Sequence, residues 1–397
     1  MKKALTRREF FSIARAYGIK TALFATTIGA TSGLVPMISD FAVRDARAAS
    51  RAKYRLRFGA GVMTDTNERH LCTGVYEFAK RVEEKSEGEV HIQIIDKAQS
   101  CAENTCGDRV INNIIQIGAS SPQNLGSVMP YSVALDWPFL WKDRTGYLNF
   151  LFSKESNKLY RDVMQKAYGI VPLYGSGEMR NIMMGMKYED SPLITSPADL
   201  AGAKIRITNS EMIANFTQSM NMSPIPLAWT ELLEGLKSGV VDATETWPGA
   251  ATGFGMHSVL SQAIGVDFSP GFELIFISSK VYETFPDKIK LAFLEASYEV
   301  MEASYHTLED AKNSVIGNGD NPSPQSAYLE SGIKRSRLSA DQLEEFHSVG
   351  GIEANAQLYS ATRKRLDDIA GVDVYGALQE FEKSISGKPL QPQKWWL

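Results

Sequence analysis

The sequence predicts an α/β protein with two domains, each built on a mostly parallel sheet with helices on both faces. Its 397 residues exceed the roughly 100–200 residues of a typical single domain. Short apolar strands alternate with amphipathic helices, which is typical of strand–helix–strand units. The composition, 44% hydrophobic and 22% charged, is ordinary for a globular protein and shows no repeat or low-complexity tract.

The first 48 residues are typical of an export signal. Residues 6–11 read Thr-Arg-Arg-Glu-Phe-Phe, which resembles the twin-arginine signal that exports folded proteins. The apolar run at 21–36 contains Thr, Ser and Gly, and it is shorter than the ~20 strongly apolar residues of a spanning helix. Small residues at 46–48 are suitable for cleavage. We therefore expect residues 1–48 to be a signal peptide and the mature protein to reside in the periplasm; a Sec signal or an anchor is the alternative.

The charge balance argues against nucleic acid as a partner. Residues 1–48 hold eight basic and three acidic residues, so the remainder of the chain, within a total of −4, carries a formal charge of −9. Affinity for nucleic acid depends on Lys and Arg that neutralise phosphates. An acidic mature protein is therefore not expected to bind it.

Periodicity predicts the elements in chain order. Strands are expected at 54–58, 90–95, 169–174, 182–184, 204–207, 240–243 and 274–277, where apolar residues alternate or cluster between turn residues. Helices are expected at 67–86, 109–118, 229–239, 286–314 and 339–369, where apolar residues recur every three or four positions. The helix at 286–314 is the longest uninterrupted one, since it contains no Gly or Pro after Pro286. One stripe along it is expected to be buried, formed by Leu291, Leu294, Tyr298, Met301 and Tyr305. The tail, which ends in Trp395-Trp396-Leu397, is expected to dock on the body.

Three cysteines lie beyond the signal. Cys101 and Cys106 are close enough to close a small loop, and an oxidising compartment permits a disulfide. Free thiols and, less favoured, a metal site are the alternatives, because a metal would need further ligands nearby. Cys72 lies near the apolar face of a predicted helix, which favours a buried thiol.

Signatures of enzymes are missing from the sequence. It contains no dinucleotide-binding or phosphate-binding glycine loop, no Gly-x-Ser-x-Gly and no His-Glu-x-x-His. Its five histidines form no recognisable catalytic motif with Ser or Cys; they are His70, His91, His257, His306 and His347. We expect no catalytic residues.

Two arginines stand at positions where ligands collect. Arg206 lies in a predicted strand that runs into turn residues at Asn209, a further candidate contact, and Arg180 lies between two predicted strands. Ligands of parallel sheets gather at the carboxyl ends of strands, and a guanidinium fits a carboxylate with two parallel hydrogen bonds. A solvated arginine at the end of a strand is the alternative for each.

A second set of candidate ligand contacts lies at residues 229 and 245–247. Trp229 opens a short helix, and Glu245, Thr246 and Trp247 follow a strand at its carboxyl edge. Glu245 could accept a hydrogen bond from a ligand hydroxyl or bind a cation, and Trp247 could form an apolar wall. Taken singly, each residue also fits a structural role.

Together these residues resemble the DctP family, the extracytoplasmic solute receptors of tripartite ATP-independent periplasmic (TRAP) transporters. The similarity extends from about residue 54 to about residue 378. Five blocks match in order: FAKRVEEKSEGEV at 78–90, IIQIG at 114–118, VALDWPFL at 133–140, PADLAGAKIR at 197–206 and GVVDATE at 239–245. The blocks around Arg206 and Asp242 are the most specific.

The resemblance implies a two-lobed, periplasmic-binding-protein-like fold of the type II kind, with lobes joined by crossing strands and a long helix spanning both. Lobe I would comprise 49–177 and about 266–305, and lobe II 178–265 and about 306–397. The resemblance makes Arg206 the principal carboxylate anchor and Arg180 a second basic contact. It implies a small organic acid as ligand and the small and large TRAP membrane subunits as partners.

The sequence also departs from the family pattern. Thr246 stands where sialic-acid-type members have Asn, and it shifts the Glu-Trp register of members for oxo- and hydroxy-acids, some of which hold a cation. A cation at Glu245 is therefore a minor possibility, and no other cofactor is expected. The segment with Cys101 and Cys106 replaces the usual loop after the second strand.

The expected mechanism is capture between two closing lobes. A ligand carboxylate pairs with Arg206, and lobe I adds contacts near Thr64, Asn67 and Trp137. Two other functions are compatible with such a cleft: a secreted enzyme acting on a small carboxylate, and a receptor that serves only as a sensor.

Overall fold

Two mixed sheets organise residues 51–397, the part of the chain that the computed structural model describes. The predicted signal peptide at 1–48 lies outside the described residues. The strands are β1 (Tyr54–Gly59), β2 (Val90–Ile95), β3 (Ile117–Ser120), β4 (Ile170–Met179), β5 (Asn181–Gly185), β6 (Lys204–Ile207), β7 (Ser223–Pro226), β8 (Ala243–Thr246), β9 (Leu260–Ile264), β10 (Pro270–Ser278) and β11 (Lys334–Ser336).

Helices cover both sheets. They are α1 (Glu68–Leu71), α2 (Val75–Lys85), α3 (Glu103–Ile111), α4 (Pro122–Leu125), α5 (Arg144–Phe152), α6 (Asp162–Tyr168), α7 (Glu211–Ser219), α8 (Trp229–Ser238), α9 (Pro248–Gly253), α10 (Ser279–Tyr282), α11 (Asp287–Ala311), α12 (Ala327–Glu330), α13 (Ala340–Gly350), α14 (Ala356–Ala370) and α15 (Val374–Ile385). Short 3₁₀ turns occur at Pro130–Leu135, Met186–Tyr188, Pro197–Leu200 and Met256–Val259, and π turns at Asn157–Arg161 and Lys312–Ile316. Among the described residues no helix is long and apolar enough to cross a membrane.

The first sheet has the order β2-β1-β3-β10-β4 and the second β11-β9-β5-β8-β6-β7. In the first, β2 and β3 flank β1 in parallel, whereas β10 runs antiparallel to β3 and β4. In the second, β6 is parallel to β7 and β8, and β5 is antiparallel to β8 and β9. This α/β architecture with two mixed sheets confirms the predicted fold class.

The chain crosses between the sheets twice. β4 of the first sheet passes into β5 of the second through the single residue Arg180, and β9 returns to β10 through residues 265–269. The crossings are tied together, because the Arg180 amide donates to the carbonyl of Ser269 at 2.7 Å and its own carbonyl accepts from Phe268 at 3.1 Å. Arg180 therefore lies at the junction of the two lobes.

Helix α11 bridges the lobes, as the resemblance implies. Its first half buries Ile289 and Phe293 in the core of the first sheet. The π turn that continues it places Ile316 in a cluster with Met183 and Leu260 of the second sheet. The predicted buried stripe is partly wrong, since Leu291 is 44% exposed.

Three predicted helices are divided, and the first is the helical region expected at 339–369, which forms α13 and α14. The helix expected at 67–86 breaks at Cys72 and Gly74, which adopt left-handed backbone. A Cβ on Gly74 would lie 2.4 Å from a methyl group of Val300, so this close approach requires glycine. The helix expected at 109–118 is instead the end of α3 followed by strand β3, because left-handed Asn113 ends the helix and Ile117 pairs with β1.

The C-terminal region packs on the first sheet. Tyr359 of α14 and Tyr375 of α15 stack around Trp137, and Trp395 packs against Phe152. The tail docks as expected, with Trp395 buried. The predicted division, which assigns 306–397 to the second lobe, stays a prediction. Phe346 of α13 packs in the core of the second sheet, whereas Tyr359 and Tyr375 pack in the core of the first.

Candidate ligand-binding site between the two sheets

A cavity lies where the two sheets face each other. The cavity volume is about 30 Å³, within about 360 Å³ of space between the lining residues that includes open solvent. The lining residues come from both lobes: Glu103, Ser121, Asn124, Arg180, Arg206, Thr208, Trp229, Thr246, Trp247, Ala250, Phe254 and Glu273. Five of the ten predicted ligand-binding residues line this cavity: Arg180, Arg206, Trp229, Thr246 and Trp247.

Arg206 lies on β6, and the terminal amino groups of its guanidinium are available for a ligand. The side chain is 2% exposed, and its Nε donates to the carbonyl of Leu227 at 2.9 Å. Its guanidinium carbon lies 5.3 Å from the ring centroid of Trp229, a cation–π distance. Within the described residues its terminal amino groups make no hydrogen bond, and the nearer lies 3.8 Å from Glu245. They can therefore donate to a ligand.

Glu245 braces the two arginines from behind the cavity. It is fully buried, and its Oε2 accepts from Arg180 at 2.5 Å while its Oε1 accepts from the amide of Thr208 at 3.0 Å. The other amino group of Arg180 donates to Gln123 at 2.9 Å. A buried charge needs such partners, because removing one leaves the other desolvated and unpaired.

The contact of Glu245 with the ligand or a cation stays a prediction, and the placement of Glu245 favours the bracing role. Glu245 does not line the cavity, and a cation beside it would meet the positive charges of Arg180 and Arg206. In the described part of the chain, no group of three His, Cys, Asp or Glu residues could hold a metal ion.

Two glycines let the crossing strands approach closely. A Cβ on Gly271 would lie 2.9 Å from Arg180 Cγ and 3.1 Å from Trp247 Cβ, and one on Gly177 would lie 2.1 Å from the carbonyl oxygen of Gly271. Only glycine leaves room for these contacts. The predicted apolar wall at Trp247 is therefore positioned by the crossing strands.

The first lobe supplies two carboxyl groups that sequence reasoning missed. Glu103 begins α3 and accepts a short hydrogen bond from Asn124. Glu273 lies in β10, is 5% exposed, and its buried Oε2 has no hydrogen-bond partner among the described residues. Burial raises the pKa of Glu103, and burial together with the nearby Glu103 carboxylate raises the pKa of Glu273 well above its ordinary value.

The disulfide between Cys101 and Cys106 is present, which confirms the predicted pairing. The two Cα atoms are 5.0 Å apart, and the bond encloses Glu103 at the start of α3. Gly59 of β1 packs against it, since a Cβ there would lie 2.6 Å from Cys101 Sγ. The departure from the family pattern thus fixes a carboxylate at the cavity. Cys72 is free and buried, as expected.

Four predicted contact residues do not line the cavity. Thr64 and Asn67 instead hydrogen-bond to each other just before α1: the Thr64 amide donates to Asn67 Oδ1 at 2.9 Å, and the Asn67 amide donates to Thr64 Oγ1 at 3.2 Å. Trp137 is fully buried, with its ring centroid 5.2 Å from that of Tyr375. Asn209 is exposed and borders a separate groove near Ser127.

Residues 62–340 match the family model described as bacterial extracellular solute-binding protein, family 7 (DctP). The 2,3-diketo-L-gulonate-binding periplasmic protein YiaO of Escherichia coli is 25% identical over 50% of this chain and 57% of that protein. The C4-dicarboxylate-binding periplasmic protein DctP of Shewanella loihica is 28% identical over 43% of this chain and 49% of that protein. The chain thus spans about half the length of these curated relatives.

Solved structures share the fold. The TRAP periplasmic solute-binding protein of Desulfovibrio salexigens with bound orotic acid superposes with a TM-score of 0.69 at 18% identity, over 83% of this chain and 99% of that one. The TRAP periplasmic solute-binding protein of Roseobacter denitrificans with bound β-D-glucuronate gives 0.67 at 21% identity, with the same coverage. At these identities the similarity establishes the fold alone.

Proposed function

Because the chain belongs to the bacterial extracellular solute-binding proteins of family 7, we propose that it captures a small organic carboxylate between its lobes for a TRAP transporter. The small and large membrane subunits of that transporter would receive the closed, loaded form. This role places the mature protein in the periplasm, which agrees with the predicted signal at 1–48.

The observation that carries the proposal is the environment of the Arg206 guanidinium. Its guanidinium is buried, fixed by the Leu227 carbonyl and Trp229, and faces the cavity with terminal amino groups that make no hydrogen bond within the described residues. A carboxylate is the group that fits such a planar pair of donors. Hydrogen bonds to charged groups contribute about 1.5–3 kcal/mol each, so two of them supply about 3–6 kcal/mol toward binding.

The two-sided lining supports capture by closure. The second lobe contributes Arg206, Thr208 and Thr246, whereas the first contributes Ser121 and Asn124. A solute touching both sets stabilises the closed arrangement over the open one, which is the condition for a ligand to shift such an equilibrium. The bound orotic acid and glucuronate of the structural relatives are carboxylates of a size that suits the proposed class.

Two measurements test this function. Native mass spectrometry of protein purified from its host should show a retained small acid, and calorimetry with succinate, D-glucuronate, galactonate and orotate should identify acids that bind. Reconstituted with its TRAP membrane subunits, the protein should drive uptake of the acid that it binds. Conversion of a bound acid into a product would instead indicate an enzyme, and binding without uptake would indicate a sensor.

A further inference from the structure

The basic and the acidic side chains that line the cavity come from different parts of the fold. Arg206 lies on the second lobe and Arg180 at the junction, whereas the first lobe presents the carboxyl groups of Glu103 and Glu273. A receptor that only binds anions gains nothing from ionised acids in its cavity, because an ionised Glu103 or Glu273 would repel the carboxylate that the arginines attract. The acids therefore require their own explanation.

Glu273 points to a missing partner. Its carboxyl group is buried, and within the described residues no donor meets its Oε2. A buried polar group left without a hydrogen bond costs free energy, so its partner is to be sought in a water, an ion or a ligand. Because Glu273 lines the cavity, the donor that satisfies it can come from a ligand.

The charges indicate what kind of donor this is. Arg180 and Arg206 carry two positive charges, and Glu245 behind them carries one negative charge. A cationic group placed against Glu103 and Glu273 would favour ionisation of one of them, and the single negative charge that they then share would offset the net positive charge left by Arg180, Arg206 and Glu245. A solute with a single negative charge then leaves an uncompensated charge in the closed site, whereas a solute that carries both signs leaves none.

We propose that the cavity takes an amphoteric solute, whose carboxylate pairs with Arg206 and whose ammonium group lies against Glu103 and Glu273. The assignment rests on the proposed function, since it assumes that Arg206 holds a carboxylate. The disulfide that encloses Glu103 and the hydrogen bond from Asn124 fix one side of the ammonium site. Glu273, with no partner of its own, supplies the other.

Calorimetry with matched pairs of acids tests the assignment, each pair having the same skeleton with either an ammonium or a hydroxyl group. Suitable pairs with different spacings are L-alanine and L-lactate, 4-aminobutyrate and 4-hydroxybutyrate, and L-glutamate and L-2-hydroxyglutarate. In at least one pair the amino acid should bind ten times more tightly or better. Glu273→Gln should remove at least tenfold of that preference, and Glu103→Gln should act in the same direction.

Controls separate the outcomes. Glu382→Gln removes a buried carboxyl group that accepts from the Lys142 amide, away from the cavity, and should leave the preference unchanged. Hydroxy acids that bind as tightly as their amino partners, binding of a hydroxy acid only with added Ca²⁺, or no binding of any amino acid would each overturn the assignment. The proposed function survives the first of these if Arg206→Met still abolishes binding, and it fails if Arg206→Met changes nothing.

Discussion

Replacing Arg206 by Met should abolish capture of the acid while the fold persists. The substitution keeps an apolar stem against Trp229 but removes the terminal amino groups that face the cavity. At about 1.5–3 kcal/mol for each charged hydrogen bond, loss of two weakens binding by about 3–6 kcal/mol, or roughly 10²- to 10⁴-fold. Arg206→Lys keeps the charge but not the paired geometry, so its loss should be intermediate.

Calorimetry with an acid that binds the unaltered protein measures this loss. Arg161→Met is the matched control, because Arg161 is also buried but stacks on Trp395, 4.2 Å from the ring centroid, outside the cavity. The control should bind normally, and thermal melting should show both variants folded. Affinity of the Arg206→Met protein within threefold of the unaltered protein would refute the role of this guanidinium.

Three further predictions concern stability. Glu245→Gln should destabilise the protein by about 3–5 kcal/mol in chemical denaturation, because it leaves two buried guanidinium groups short of a counter-charge; an unchanged midpoint would contradict the bracing role. Replacing Cys101 and Cys106 by Ser should cost about 2 kcal/mol, the chain-entropy value for so short a loop, and equal stability of the reduced and oxidised protein would contradict it. Burial raises the pKa of Glu178 from 4.5 to about 7. Between these pH values the folded state holds a proton that the unfolded state has lost, so the free energy of unfolding should fall as pH rises from about 4.5 to about 7. For this group the fall is at most about 1.4 kcal/mol per pH unit. Glu178→Gln should flatten that decline, and an unaltered pH profile would show that Glu178 does not cause it.

The elements of the fold could be predicted where the residues of a segment determine its structure by themselves. The predicted strands at 90–95 and 204–207 match β2 and β6, because alternating or clustered apolar residues between turns leave little choice. The division of the helix at 67–86 could not be seen, since it depends on Gly74 meeting Val300, more than two hundred residues away. Contacts of that kind have no local signature.

In the candidate site too, the sequence identifies some residues, whereas the roles of others depend on partners that are distant in the chain. Arg206 stands out because it lies at the end of a strand and within a recognisable block, and Arg180 because it lies between two predicted strands. Glu245 stood out for the same reason, but its role as a brace depends on partners from other strands. One signal was available and missed: Glu273 is a charged residue in the apolar run Gly-Phe-Glu-Leu-Ile-Phe-Ile, and a charge in a fully buried strand requires a partner or a function.

A crystal structure of the protein purified from its host, with its retained solute, would test the site most directly. We predict density for a carboxylate about 2.7–2.9 Å from the terminal nitrogens of Arg206, enclosed by residues of both lobes. A guanidinium turned away from the solute, or a solute bound in another groove with the inter-lobe cavity still vacant, would contradict the proposed function.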